Sequence, residues 1–122
     1  MKLAALFGRK ADGDNAERIA ENYLRQHGLT TITRNYRCRF GEIDLIMQDG
    51  DTTAFVEVRY RASDNFGGAA ASIHPAKQRR IIAAAGHYLT AIRHPPPCRF
   101  DAILLKKLDA SEVEWIKDAF GV

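Results

Sequence analysis

EIDLIMQDGDTTAFVEVRY, Glu42 to Tyr60, is the stretch that decides the fold. Two runs rich in Ile, Val, Phe and Tyr have the β-branched and aromatic bias of strands. They flank Asp49-Gly50-Asp51, a strong hairpin signal. The second run carries Glu57 and Arg59 two residues apart, so both charges point to one face of an apolar strand. A two-residue turn at Gly50-Asp51 sets Asp44 across from Glu57. A turn at Asp49-Gly50 sets Glu42 there, and a longer loop shifts the pairing by about one residue. Either two-residue turn makes an acid face Glu57, a pairing that destabilises a sheet, more so when buried. A cation between the acids relieves it, and oxygen donors of this kind suit Mg²⁺. An ion-pair network with Arg59, Arg61 or Arg37 explains the same acids without a metal.

Outward from the hairpin, a helix is expected from Asp14 to His27. Ala16, Ile19, Ala20, Tyr23, Leu24 and His27 form its apolar stripe. Asp14 reads as the N-cap, with Glu17 completing a capping box and Gly28 stopping the helix. A strand is expected over Thr30–Tyr36. Ser63 to Ala71, including Phe66, reads as a loop. Pro75 opens a second helix expected to reach Arg93, where "HPPP" ends it. "RFDAILL", Arg99–Leu105, and "VEWI", Val113–Ile116, supply a fourth and a fifth strand. Such an order implies a mixed sheet with helices packed on it.

The 122 residues suit one domain, 1–122, with no repeat or linker to divide it. With 46% hydrophobic and 27% charged residues, the composition is that of a globular protein. No apolar run approaches the ~18 residues of a membrane span. The N-terminal "LAALF" is too short for a secretory signal, so a cytoplasmic location is expected. Cys38 and Cys98 have no metal-site spacing and read as reduced thiols packed as small apolar groups. The formal charge of +3 admits an anionic partner without demanding one. His27, His74, His87 and His94 have no metal spacing either and read as structural or solvent-facing.

"RNYRCRFGEIDLI", "FVEVRYR", "KQRR" and the later "RFD" together resemble the YraN family of bacterial proteins, over nearly the whole chain. The pattern is similar to the PD-(D/E)xK nuclease superfamily, particularly archaeal Holliday-junction resolvases. The resemblance implies an α/β, restriction-endonuclease-like αβββαβ core, with a mixed sheet flanked by helices. It implies a metal-dependent endonuclease hydrolysing phosphodiester bonds in branched or structured DNA, with Mg²⁺, or Mn²⁺ in its place, as cofactor. Asp44, Glu57 and the Val58 carbonyl correspond to the metal-holding positions, and Glu17 to a helix glutamate serving a second ion. Glu17, Asp44, Glu57 and Arg59 are thus the expected catalytic set, although Glu17 also fits a capping box.

Arg59 departs from the pattern, because the superfamily has Lys there. Arg is a permanent cation that cannot serve as a base, yet can clamp a phosphate oxygen. A non-catalytic nucleic-acid-binding module retaining the fold is therefore the alternative. Arg37, Arg39 and Arg61, with Lys77 and Arg80 of "KQRR", are the expected contacts to the nucleic-acid backbone, and Arg34 and Arg79 belong to the same basic groups. A solvated basic face is the common explanation of such a run, but cations in a first helical turn oppose the macrodipole, which makes a phosphate-binding role more attractive than usual there. Glu42 reads as a cross-strand salt-bridge partner or, less favoured, as a group supporting the metal ligands. Related resolvases act as dimers, which admits a homodimer here.

Overall fold

Why this chain closes as it does begins with α1, Lys2–Gln26, whose stripe Ala16, Ala20 and Leu24 is buried. The computed structural model describes residues 2–61 and 73–121, with side chains from Asp12 onward. The expected loop at 63–71 lies outside the described residues. Small Ala16 and Ala20 let the helix backbone approach the sheet, where Leu45, Met47, Ala54, Val56, Ile103 and Leu105 pack against them. Gly28, at φ +95°, ends the helix as expected. Its N–H donates to the Arg25 carbonyl and the Leu29 N–H to the Leu24 carbonyl, the paired bonds of a Schellman motif. The N-terminal expectation needs correction. Asp14 lies inside α1 and not at its start, so the capping box with Glu17 does not exist.

Five strands form one mixed sheet in the order β1 (Thr30–Cys38), β2 (Gly41–Asp49), β3 (Thr52–Tyr60), β4 (Cys98–Leu105), β5 (Val113–Phe120). β1, β2 and β3 form an antiparallel meander. β3 and β4 pair in parallel, which requires a crossover, and α2 (Pro75–Leu89) lies on it. β5 returns antiparallel to β4. The α/β restriction-endonuclease-like expectation is borne out at this level. α2 places Ile81, Ala84 and Ala85 against Ile43, Ile46, Phe55 and Phe100. Val56 and Phe55 pack in different clusters, so α1 and α2 cover opposite faces of the sheet.

α2 ends at Leu89, short of the expected Arg93: past it the Ala91 and Ile92 N–H groups bond three residues back, to the Tyr88 and Leu89 carbonyls, and the Thr90 hydroxyl bonds the His87 carbonyl. β5 outruns its expected four residues. A buried carboxylate is the reason. Asp101 on β4 is fully buried and accepts from Arg99 Nε, Trp115 Nε1 and the Asp118 N–H at 3.0–3.1 Å. The last bond holds Asp118 at φ +53° beside a register shift between Phe100 and Ala102. Arg99 also reaches Asp49 at 2.8 Å, tying the end of β2 to the same knot. Both thiols are free, but only Cys38 packs against apolar neighbours. Cys98 is exposed, contrary to the expectation for it.

Candidate active site

The hairpin register decides which acid faces Glu57. Asp49 pairs with Thr52 and Leu45 with Val56, so the turn is Gly50-Asp51. One step further along that register lie Asp44 and Glu57, and not Glu42. Period-two alternation also breaks here. Ile43 and Ile46 pack on the α2 side while Leu45 between them packs on the α1 side. The slip falls at Asp44, between the pairs Arg34–Leu45 and Tyr36–Ile43, where Asn35 of β1 sits at φ +51°. Bulge-like irregularities of this kind re-aim a side chain. Asp44 Oδ2 accepts the Val58 N–H at 2.8 Å. In an extended strand the N–H and C=O of one residue face the same side, so the Val58 carbonyl also faces Asp44.

Glu57 is 3% exposed, the most deeply buried acid of the site. Its Oε2 lies 2.9 Å from Arg59 Nη2 and 3.7 Å from Lys77 Nζ. Burial first, then the charge of Asp44 and a hydrogen bond to it, push Glu57 up to about 8 despite these two cations. Glu17 of α1 is pushed up to about 7, by burial and by the charges of Asp44, Asp14 and Glu42, against a lowering hydrogen bond from Asn35. With the capping box gone, its placement is accounted for by this acidic cluster. Arg59 Nε is buried with no hydrogen-bond partner among the described residues.

These groups border an open cavity of about 400 Å³ at the start of β2 and the end of β3. Asp12, Glu17, Glu42, Asp44 and Glu57 supply acids, and Arg59, Arg61 and Lys77 supply cations. Of the five expected backbone-contacting residues, Arg61 and Lys77 line it. Arg37, Arg39 and Arg80 do not. Arg37 pairs with Glu42 at 3.1 Å, as Glu42 was expected to pair, and Arg39 stacks on Phe40 at 4.8 Å. Arg80 abuts Gly41. Arg34, expected on the same rim, instead binds buried Glu21 at 2.7 Å. Three of the histidines have local partners: His74 caps α2, His27 bonds the Tyr23 carbonyl and His87 the Tyr36 hydroxyl.

Among the described residues, no three His, Cys, Asp or Glu side chains are spaced as a ready cation cage. The donor chemistry nevertheless fits a hard divalent ion. Two of the acids are held well above the usual carboxylate range, first by burial and then by the neighbouring acids, and a divalent cation offsets both. Sequence reading missed Asp12 and Asn35. Asp12 becomes relevant only because α1 begins upstream of it, and Asn35 because of a backbone kink that no pattern announces.

The model of "Uncharacterised protein family UPF0102" matches residues 16–105. The chain belongs to the UPF0102 family. A UPF0102 protein of Methylobacillus flagellatus is 62% identical over 110 residues, covering 89% of this chain and 96% of the relative. Another, from Nitrosospira multiformis, is 56% identical over 110 residues, covering 90% and 92%. A third, from Herminiimonas arsenicoxydans, is 53% identical over 111 residues, covering 91% and 87%. The YraN resemblance read from the motifs is thereby borne out, since YraN proteins are UPF0102 proteins. The UPF0102 match contains Glu17, Asp44, Glu57, Arg59, Arg61 and Lys77, and stops before β5.

Proposed function

We propose that this UPF0102 protein is a metal-dependent nuclease that hydrolyses phosphodiester bonds in branched or structured DNA. The observation carrying the reading is the Asp44–Glu57 carboxyl pair, Glu57 buried and Asp44 half-buried, at the mouth of a cavity bordered by Arg59, Arg61 and Lys77. Two acids this close are unstable alone and become reasonable when they serve a cation or share a proton.

Asp44, Glu57 and the Val58 carbonyl would hold Mg²⁺ or Mn²⁺, with Glu17 available to a second ion. Bound there, the metal supplies polarisation of the phosphoryl oxygens and a more acidic water. The chain's own residues supply the rest. Arg59, fixed by its 2.9 Å contact with Glu57, can hydrogen-bond a phosphate oxygen but cannot take a proton. Exposed Arg61, on the same rim, would hold the flanking backbone without reading sequence.

The reading is tested by cleavage of branched, flap, single-stranded and duplex DNA with Mg²⁺ or Mn²⁺. Asp44→Ala and Glu57→Ala serve as controls. Metal-dependent cleavage abolished by either substitution is expected. The absence of cleavage, with retained salt-dependent DNA binding, favours a binding module that keeps the fold. One observation supports that second reading: Arg59 already occupies Glu57, an internal pairing that a pure binder can keep.

A further inference from the structure

Arg59 leaves β3 without the lysine that hydrolysis on such a strand would use, and α2 brings one to the same carboxylate. Lys77 Nζ lies 3.7 Å from Glu57 Oε2, beyond direct hydrogen-bond distance, whereas Arg59 Nη2 holds that oxygen at 2.9 Å. Glu57 Oε2 thus has its close cation in Arg59, and the ammonium donors of Lys77 remain available to a third group. Its side chain is 22% exposed and borders the cavity, while Arg79 and Arg80 of the same run are exposed and do not. Lys77 also stands in the first turn of α2, where the helix dipole opposes a cation unless an anion is near. A strand arginine and a helix lysine thus converge on one buried acid from two elements.

We propose that Lys77 is a catalytic residue whose ammonium hydrogen-bonds a non-bridging oxygen of the scissile phosphate, in place of a lysine on β3. This rests on the nuclease reading and moves Lys77 from a general backbone contact to the reacting phosphate. In the step, a water oxygen bonds to phosphorus and the P–O3′ bond breaks with its electron pair on O3′. The water's proton leaves to solvent, and O3′ takes one from solvent. Lys77 keeps its protons throughout and stabilises the negative charge that builds on the phosphoryl oxygen.

The test is single-turnover cleavage at saturating labelled flap and four-way-junction DNA with Mg²⁺, beside DNA affinity measured with Ca²⁺. Lys77→Met should lower the rate about 100- to 1,000-fold, with affinity changed by less than about threefold, as expected for loss of one phosphate contact among many. Adding Arg59→Lys should restore part of the rate, by returning an ammonium to the strand beside Glu57. If Lys77→Met does not fold, Lys77→Gln, uncharged and of similar stem, carries the same comparison. An undiminished rate at saturation with weakened affinity overturns the proposal and leaves Lys77 a backbone contact. If the unaltered protein cuts no substrate, the nuclease reading itself fails and this proposal falls with it.

Discussion

Glu57 and Glu17 set the pH behaviour of the molecule. Both are held above the ordinary 4.5, at about 8 and about 7, so the folded state binds their protons more tightly than the unfolded state does. Stability should therefore fall as pH rises from about 4.5 to about 8 and level off above. Urea midpoints in metal-free buffer would reveal this slope, and a flat profile would rule out the raised carboxyls of Glu57 and Glu17. Glu21 and Asp109, both lowered by their hydrogen bonds, act only on the acid side, where they lose stabilisation as pH falls. Asp44→Asn should lower the midpoint of Glu57 in carboxyl ¹³C NMR while leaving it above the ordinary range, because burial is the larger cause. An unchanged midpoint would mean the two carboxyls do not interact. The turn "DGD" narrowed the partner of Glu57 without fixing it, leaving Asp44, Glu42 or a shifted pairing, and the motif resemblance pointed to Asp44. It could not show that Lys77 would meet it, since that contact depends on how a helix docks and not on spacing.

At the scale of elements, the β1–β2 turn and α2 touch through Gly41 and Arg80. Gly41 has φ +154°, and a Cβ there would sit 3.3 Å from both the Cβ and the carbonyl oxygen of Arg80. Gly41→Ala should cost about 1–3 kcal/mol, from backbone strain plus the contact with a helix that cannot readily retreat. Denaturant titration measures it, and a loss below a few tenths would show that the two elements are not pressed together. Element identities were legible because their periods differ, 2 for the strands and 3.6 for α1 and α2. Ends were less so. Asp14 has every local mark of an N-cap, yet the helix continues upstream through it, and a good cap residue cannot veto a turn that forms before it. The kink at Asn35 was likewise invisible, because a left-handed asparagine needs no special neighbours.

For the whole molecule, Asp101 matters beyond its own strand. It is fully buried and holds Arg99, Trp115 and the Asp118 backbone, and through Arg99 it reaches Asp49. Asp101→Ala should cost about 3–5 kcal/mol, because Arg99 then loses its buried partner. Equilibrium unfolding would show it, and a loss under about 1 kcal/mol would mean that β5 is held by apolar packing alone. Mg²⁺, if it binds as proposed, must displace protons from Glu57 and Glu17, so its affinity should rise from pH 6 to about 8. Calorimetry in buffers of different ionisation enthalpy measures the protons released, and zero release would sink the carboxylate site. The order of the strands carries a last consequence, for synthesis. The antiparallel meander of β1, β2 and β3 needs only neighbouring chain, whereas the β3–β4 pairing waits for the crossover. A nascent chain can thus bring Asp44 and Glu57 together before Lys77 and β4 have emerged. Until α2 docks, Arg59 is the cation adjacent in sequence that can hold that pair, which gives a strand arginine with a permanent charge a use that no finished active site would reveal.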